Sequence, residues 1–340
     1  MGKIYRYLLG DFFKTLGTYF LILFFLVSVI YFVRIAGYTS VMSMSFIDIF
    51  TIYFYYVPQI LIYTFPLTYF IALVLSLYNF SKDGEMLVLF SLGKSPKNVI
   101  SVYLLLSFVI SFFLIVNSLI LMPLSEQASH NFLKIKKVES KINVRSSEVG
   151  QKIANWYIFT KKADEYKYDD LILFSSNYKG KEQFILAKSA KFKSFGDSVS
   201  LILKDGKHFM ISQNDKVLQT NFKTLKLTNA LYRDKLDNKS IYEYWLDAKD
   251  DKYRSRWLSI YMLLSLFPFL SVFLAFSIGI INARIQKRVV SFWIALVVVV
   301  YYGFIFKVGE LSPLYGGVGF VVVFTLVSWI ILKNMILKRY

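Results

Sequence analysis

Few side chains in this sequence are suited to chemistry, and their scarcity narrows the possibilities. Among 340 residues there is no cysteine, which removes disulfides, thiolate metal sites and cysteine nucleophiles together. His130 and His208 are the only histidines. Either could shuttle a proton, but two are too few for a histidine-rich metal centre, and a structural role is the plainer reading. No G-x-S-x-G or H-E-x-x-H pattern occurs. Gly93-Lys94-Ser95 looks like the end of a phosphate-binding loop. That pattern requires a glycine where Val88 stands and a strand before it, and Gly84 is at the wrong spacing. What remains are charges. Arg34 and Lys307 each end an apolar run. A guanidinium can hold a phosphate in a bidentate fork, which an ammonium cannot. The alternative is that both are snorkelling anchors. Glu85, in a short polar loop, could pair with a basic partner. No metal or cofactor is expected.

The elements that must position these groups are mostly membrane spans. Apolar residues make up 56% of the chain and charged ones only 18%, outside the usual range of soluble domains. A bilayer core takes about 20 apolar residues in a helix. Six stretches qualify: 15–33, 46–80, 99–124, 257–281, 289–306 and 314–332. The first is too long for a signal-peptide core and lacks a cleavage site, so it is expected to be retained. The second carries Pro58 and Pro66 and is long enough that residues 47–56, with Asp48, are expected to stand above the bilayer. Ionisable groups in the spans lie near one end, unlike the mid-membrane carboxylates of proton-coupled carriers.

Lys and Arg in short loops set orientation. One side holds Lys3, Arg6, Lys14, Lys82, Lys94, Lys97, Arg284, Lys287, Arg288, Lys333, Lys338 and Arg339; the other offers Arg34 and Lys307. The first side is read as cytoplasmic, with both termini inside. The net charge of +18 is assigned to this asymmetry and to a basic collar, not to nucleic acid. The collar comprises Lys134, Lys136, Lys137, Lys141, Lys249, Lys252, Arg254 and Arg256.

The long segment 125–256 is expected outside. It begins as a helical extension and then turns to period-two runs at 156–160, 171–175, 183–188, 198–204, 207–212 and 217–227. Asp205-Gly206 predicts a two-residue hairpin turn between two of them. The fold class is therefore an α-helical membrane protein of six spans with an inserted all-β domain, a sandwich or an open barrel-like sheet. The expected division is 1–124 with a loop at 79–98, then 125–256, then 257–340.

The loop after the second span reads Asn79 to Pro96. Glu85–Leu92 predicts a short amphipathic helix, opened by acids and closed by Gly93. Glu85, Met86, Leu89, Phe90 and Gly93 are the candidates for docking on a soluble partner; lying on the lipid is the alternative.

At these residues the chain resembles the LptF/LptG permeases of the lipopolysaccharide export ABC transporter. The resemblance rests on Arg6-Tyr7-Leu8, on Arg34 at the end of span one, and on the proline-bearing span two. It also rests on Ser81-Lys-Asp-Gly-Glu85 followed by Leu92-Gly93-Lys94-Ser95, which is similar to the family's coupling loop. With the six-span layout, it covers essentially the whole chain. It implies an inner-membrane permease with a jellyroll-like periplasmic domain and no catalysis of its own. The implied partners are an LptB-like ATPase dimer, a second LptF/LptG-type permease, and LptC- and LptA-like periplasmic proteins, with lipopolysaccharide as substrate. Val33–Gly37 leans toward LptF and Leu311–Gly316 toward LptG; LptF is favoured slightly. Two other readings stay open: another ABC-type lipid or lipoprotein release permease, and a membrane-embedded lipid-modifying enzyme.

Overall fold

The structure, a computed structural model, describes residues 3–40, 42, 44–142, 151–153, 156–164, 167–178, 181–195, 198–211, 217–228, 238–249, 251–280, 286–311 and 313–337. Arg284, Lys338 and Arg339 of the basic side lie outside these residues. The described chain forms two compact units. One contains residues 1–33, 54–126 and 239–340, and the other 34–53 and 127–238.

Helix α1 (Lys3–Thr39) and helix α2 (Phe46–Lys82) are continuous through their apolar runs. Pro58 and Pro66 sit inside α2 without ending it. Helix α3 (Glu85–Ser91) is about two turns long, and helix α4 (Pro96–Val116) follows. Ser95 caps α4 by accepting from the Lys97 amide, and Pro96 fits the first helical position, where no amide partner is required. A π-helical segment at Asn117–Leu121 joins α4 to helix α5 (Met122–Ile142). After the sheet come helix α6 (Ile241–Leu246), helix α7 (Lys252–Leu270), helix α8 (Val272–Gly279), helix α9 (Lys287–Leu311) and helix α10 (Pro313–Leu332). Among the described residues, five helices are long and apolar enough to cross a membrane. The expected fourth span is instead a pair, α7 and α8, bent by 44°. Pro268 removes an amide donor just before the bend, and the neighbouring Phe269 amide donates to Ser111 Oγ at 3.2 Å.

In the first unit, α2 is the central helix: 72% of its apolar window is buried, against 17% for α1. Its packing is strongly aromatic. Phe12 meets Tyr69 and Tyr103 edge-on, Tyr103 meets Phe276, and Phe267 meets Tyr301. The buried phenols find backbone acceptors: Tyr103 donates to Leu8 O and Tyr301 to Leu263 O. A seam of small hydroxyls runs between α4 and α7, where Ser265 Oγ lies 3.2 Å from both Leu114 O and Ser118 Oγ. Without water, such bonds and close packing hold helices together where the hydrophobic effect cannot.

In the second unit, the last residues of α1, the first of α2 and the residues of α5 from Gln127 onward accompany the sheet. Ser45 and Asp48 cap α2 reciprocally. Asp48 also meets Lys136 of α5 at 2.9 Å, with side chains only 13% and 9% exposed.

Six antiparallel strands form one meander, in the order β1 (Gln151–Ile153), β2 (Trp156–Asp164), β3 (Lys167–Tyr178), β4 (Lys181–Phe195), β5 (Ser198–Ile211) and β6 (Val217–Thr228). The expected hairpin at Asp205-Gly206 is absent. β5 runs straight through it, and β4 and β6 pair with both of its halves. The positive φ that suggested a turn is present at Asp205 (50°), but it serves a local irregularity inside the strand. A second occurs at Asp170 (φ 53°). The flanking pairs put both aspartates opposite Lys188, and put Lys223 opposite Asp205. All four residues are exposed. Across this row the alternation slips: Tyr168 and Leu171 are both buried, as are Ala187 and Ala190. Irregularities of this kind bend a strand, and aligned across neighbours they crease the sheet. The slip keeps one face apolar on both sides of the crease. Trp156, Ile158, Tyr168, Leu171, Leu173, Ile185, Ala187, Ala190, Leu201 and Leu203 form its single buried cluster.

Candidate functional site

The loop between α2 and α4 is built from two left-handed glycines. Gly84 (φ 77°) turns the chain out of α2, and Gly93 (φ 81°) turns it out of α3, where side chains are disfavoured. The expected short helix is present, ending at Ser91. Glu85 begins it, and its Oε1 accepts a hydrogen bond from Tyr7 Oη of α1 at 3.2 Å. An exposed carboxylate at a helix start is thus tied to the first helix.

The five loop candidates divide into two kinds. Met86 is 2% exposed and sits in the bundle core; Leu89 and Phe90 pack against that core. They hold α3 in place. The apolar side chains that α3 and its end present outward are Leu87, Val88 and Leu92, the last 74% exposed. Of these, Leu87 is among the apolar contacts read from the sequence, with Met86, Leu89 and Phe90; Val88 and Leu92 are not. The signal was available, because Val88 falls on the opposite face of α3 from Met86 and Phe90. A groove of about 520 Å³, lined by Lys3, Tyr7, Phe80, Glu85, Met86 and Leu92 among others, runs beside the helix.

Asp11 was also missed. It lies on α1 near the same end of the bundle, and Ser76 Oγ of α2 donates to its Oδ2 at 2.7 Å. The sequence offered no partner at readable spacing, since the two are 65 residues apart.

Arg34 is exposed near the end of α1, in the unit that carries the sheet. Lys307 is exposed on α9, in the other unit. The basic collar is partly neutralised. Lys136 is engaged with Asp48, while Arg254 pairs with Asp247 at 2.6 Å and reaches Asp251 at 3.7 Å. A hydrogen bond from the Lys239 ammonium, reinforced by Arg254, holds the Asp247 carboxyl below the usual carboxylate range. Arg254 also covers the Tyr244 ring, whose hydroxyl lies 2.7 Å from Glu126 Oε2, and Trp245 Nε1 donates to Leu119 O. These contacts tie the segment entering α7 to the α4–α5 junction. The side chains of Lys141 and Lys249 lie outside the described residues.

A helical bundle of membrane-crossing length, interrupted by a β domain and carrying a short helix on the loop between two spans, defines a multi-pass membrane protein. The comparison with protein families makes this specific. Residues 6–334 match the model of the family described as lipopolysaccharide export system permease LptF/LptG. The chain belongs to that family. Comparison with curated proteins finds none that matches.

Proposed function

We propose that this chain is one permease subunit of an ABC transporter that extracts lipopolysaccharide from the inner membrane and passes it to a periplasmic bridge. The family match over nearly the whole chain carries this reading. The termini and the α2–α4 loop then lie in the cytoplasm, as the Lys/Arg asymmetry of the short loops supports, and the β domain lies in the periplasm. The exposed apolar residues of α3, with Glu85 beside them, are the contact for an LptB-like ATPase. Tyr7 fixes the Glu85 carboxylate, so a push on α3 is transmitted to α1. Arg34 and Lys307 meet the anionic headgroup at the outer surface. The apolar face of the sheet receives acyl chains and hands them toward LptC- and LptA-like proteins. A second LptF/LptG-type permease completes the membrane assembly, and ATP is hydrolysed by the partner.

Affinity purification in mild detergent tests this. A soluble ATPase and a second permease of similar topology should co-purify. Glu85→Lys should reduce ATPase recovery at least tenfold, since losing one partner of a buried charge pair costs about 2–5 kcal/mol, while membrane insertion persists. Recovery of the chain alone, or undiminished ATPase with the variant, contradicts the proposal.

A further inference from the structure

Three consecutive residues of the third span reach three different elements. Asn117, Ser118 and Leu119 lie in the π-helical segment between α4 and α5. Asn117 Nδ2 donates to Pro58 O of α2 at 3.0 Å. Ser118 Oγ lies 3.2 Å from Ser265 Oγ of α7. The Leu119 carbonyl accepts from Trp245 Nε1 of α6 at 2.9 Å. The sequence explains the last contact. In a regular α-helix Leu119 O would accept from the amide of residue 123. That residue is Pro123, which has no amide and whose ring crowds the same carbonyl. The chain widens here instead, with the Met122 amide reaching back five residues to Asn117 O. The indole supplies the donor that the proline lacks. Wide turns of this kind inside α-helices are frequent at functional positions.

Trp245 belongs to the segment that returns from the sheet. The first compact unit ends at Glu126 on the way out to the strands and resumes at Lys239 on the way back. Both joints carry part of one clasp, which lies wholly within that unit. The Tyr244 hydroxyl donates to Glu126 Oε2 at 2.7 Å. Ser240 and Glu243 cap the start of α6 reciprocally. Arg254 of α7 donates to Tyr244 O and pairs with Asp247. A helix of six residues is too short to hold itself, so these contacts fix it. Trp245 packs against the bundle core and carries the clasp into the span.

We propose that Trp245 is a positioning residue for transport. Its indole holds the π-helical break against α6, so that a displacement of α2 or α7 moves the outgoing segment at Glu126 and the returning segment at Lys239 together. Movement of the spans thus reaches the β domain through both segments that flank its strands. Without the indole, α5 turns about the break independently of the returning segment, and hydrolysis is no longer matched by transfer. This rests on the reading of the chain as an ATP-driven lipid permease.

The test uses the complex recovered with the full-length chain, reconstituted in proteoliposomes with lipopolysaccharide and with a photoreactive residue placed at Leu201. ATP hydrolysis and ATP-dependent crosslinking are measured together and expressed as lipid transferred per ATP. Trp245→Phe keeps a ring and removes the donor. Hydrolysis should stay within twofold while lipid per ATP falls at least fivefold. Pro123→Ala reaches the same end from the other side. It gives Leu119 O a backbone amide, closes the break into regular helix and displaces the indole from its acceptor. The melting temperature should hold or rise, and lipid per ATP should again fall at least fivefold. A contact that serves only folding predicts full coupling in Pro123→Ala. An unchanged ratio in either variant would overturn the proposal, as would loss of hydrolysis and transfer in equal proportion. If the unmodified complex gives no ATP-dependent crosslink, the permease reading falls and this proposal with it.

Discussion

Asp48 does two jobs with one carboxylate. It caps α2 with Ser45 and neutralises Lys136, both almost out of solvent. Two opposed charges in such a site are held by each other, and removing one strands the other. Lys136→Met should therefore destabilise the protein by about 3–5 kcal/mol. Adding Asp48→Leu should recover most of this and leave a deficit of about 1 kcal/mol from the lost cap. Thermal unfolding in detergent reads both. A double variant no better than the single one would show that the cap, not the ion pair, governs. Single residues were unevenly legible. Glu85 and the left-handed Gly93 were readable because helix-terminus chemistry is local. Asp11 with Ser76, and Asp48 with Lys136, were not, because each pair joins residues far apart in sequence. The inward turn of Met86 was equally hidden, since a seven-residue helix shows which side chains are apolar but not which face meets the bundle.

Among the elements, the spans were read from length and hydropathy, and the bend between α7 and α8 was not. Pro268 marks its position, but Pro58 and Pro66 sit in the unbroken α2. What separates them is the neighbour: Ser111 of α4 supplies an acceptor to the amide beside Pro268. The sheet shows the opposite failure. Asp-Gly signals a positive φ correctly, yet the dipeptide lies in mid-strand. Gly206 is there for space: a Cβ would stand 2.1 Å from Leu186 O and 2.4 Å from the Phe222 ring. The carbonyl belongs to the β4 ladder and cannot yield. Gly206→Ala should cost at least ~1–3 kcal/mol and make the β domain of the full chain sensitive to limited proteolysis. Gly10→Ala, where a Cβ meets nothing within 4 Å, should have no such effect. Equal resistance in both would mean that the crease relaxes around a methyl group.

At the scale of the whole molecule, the sequence places a β domain between two sets of helices, and the structure divides into one unit of residues 1–33, 54–126 and 239–340 and another of residues 34–53 and 127–238. The sheet's unit takes in the last residues of α1, the first of α2 and most of α5. The decisive measurement is ATP-dependent transfer of substrate onto the sheet. The complex recovered with the chain is reconstituted in proteoliposomes containing lipopolysaccharide, with a photoreactive residue at Leu201 on the buried face. Crosslinking of lipopolysaccharide to the β domain should rise severalfold with ATP and remain at background with a non-hydrolysable analogue. No crosslink, or the same crosslink without ATP hydrolysis, would contradict the assignment of this chain as a driven lipid permease.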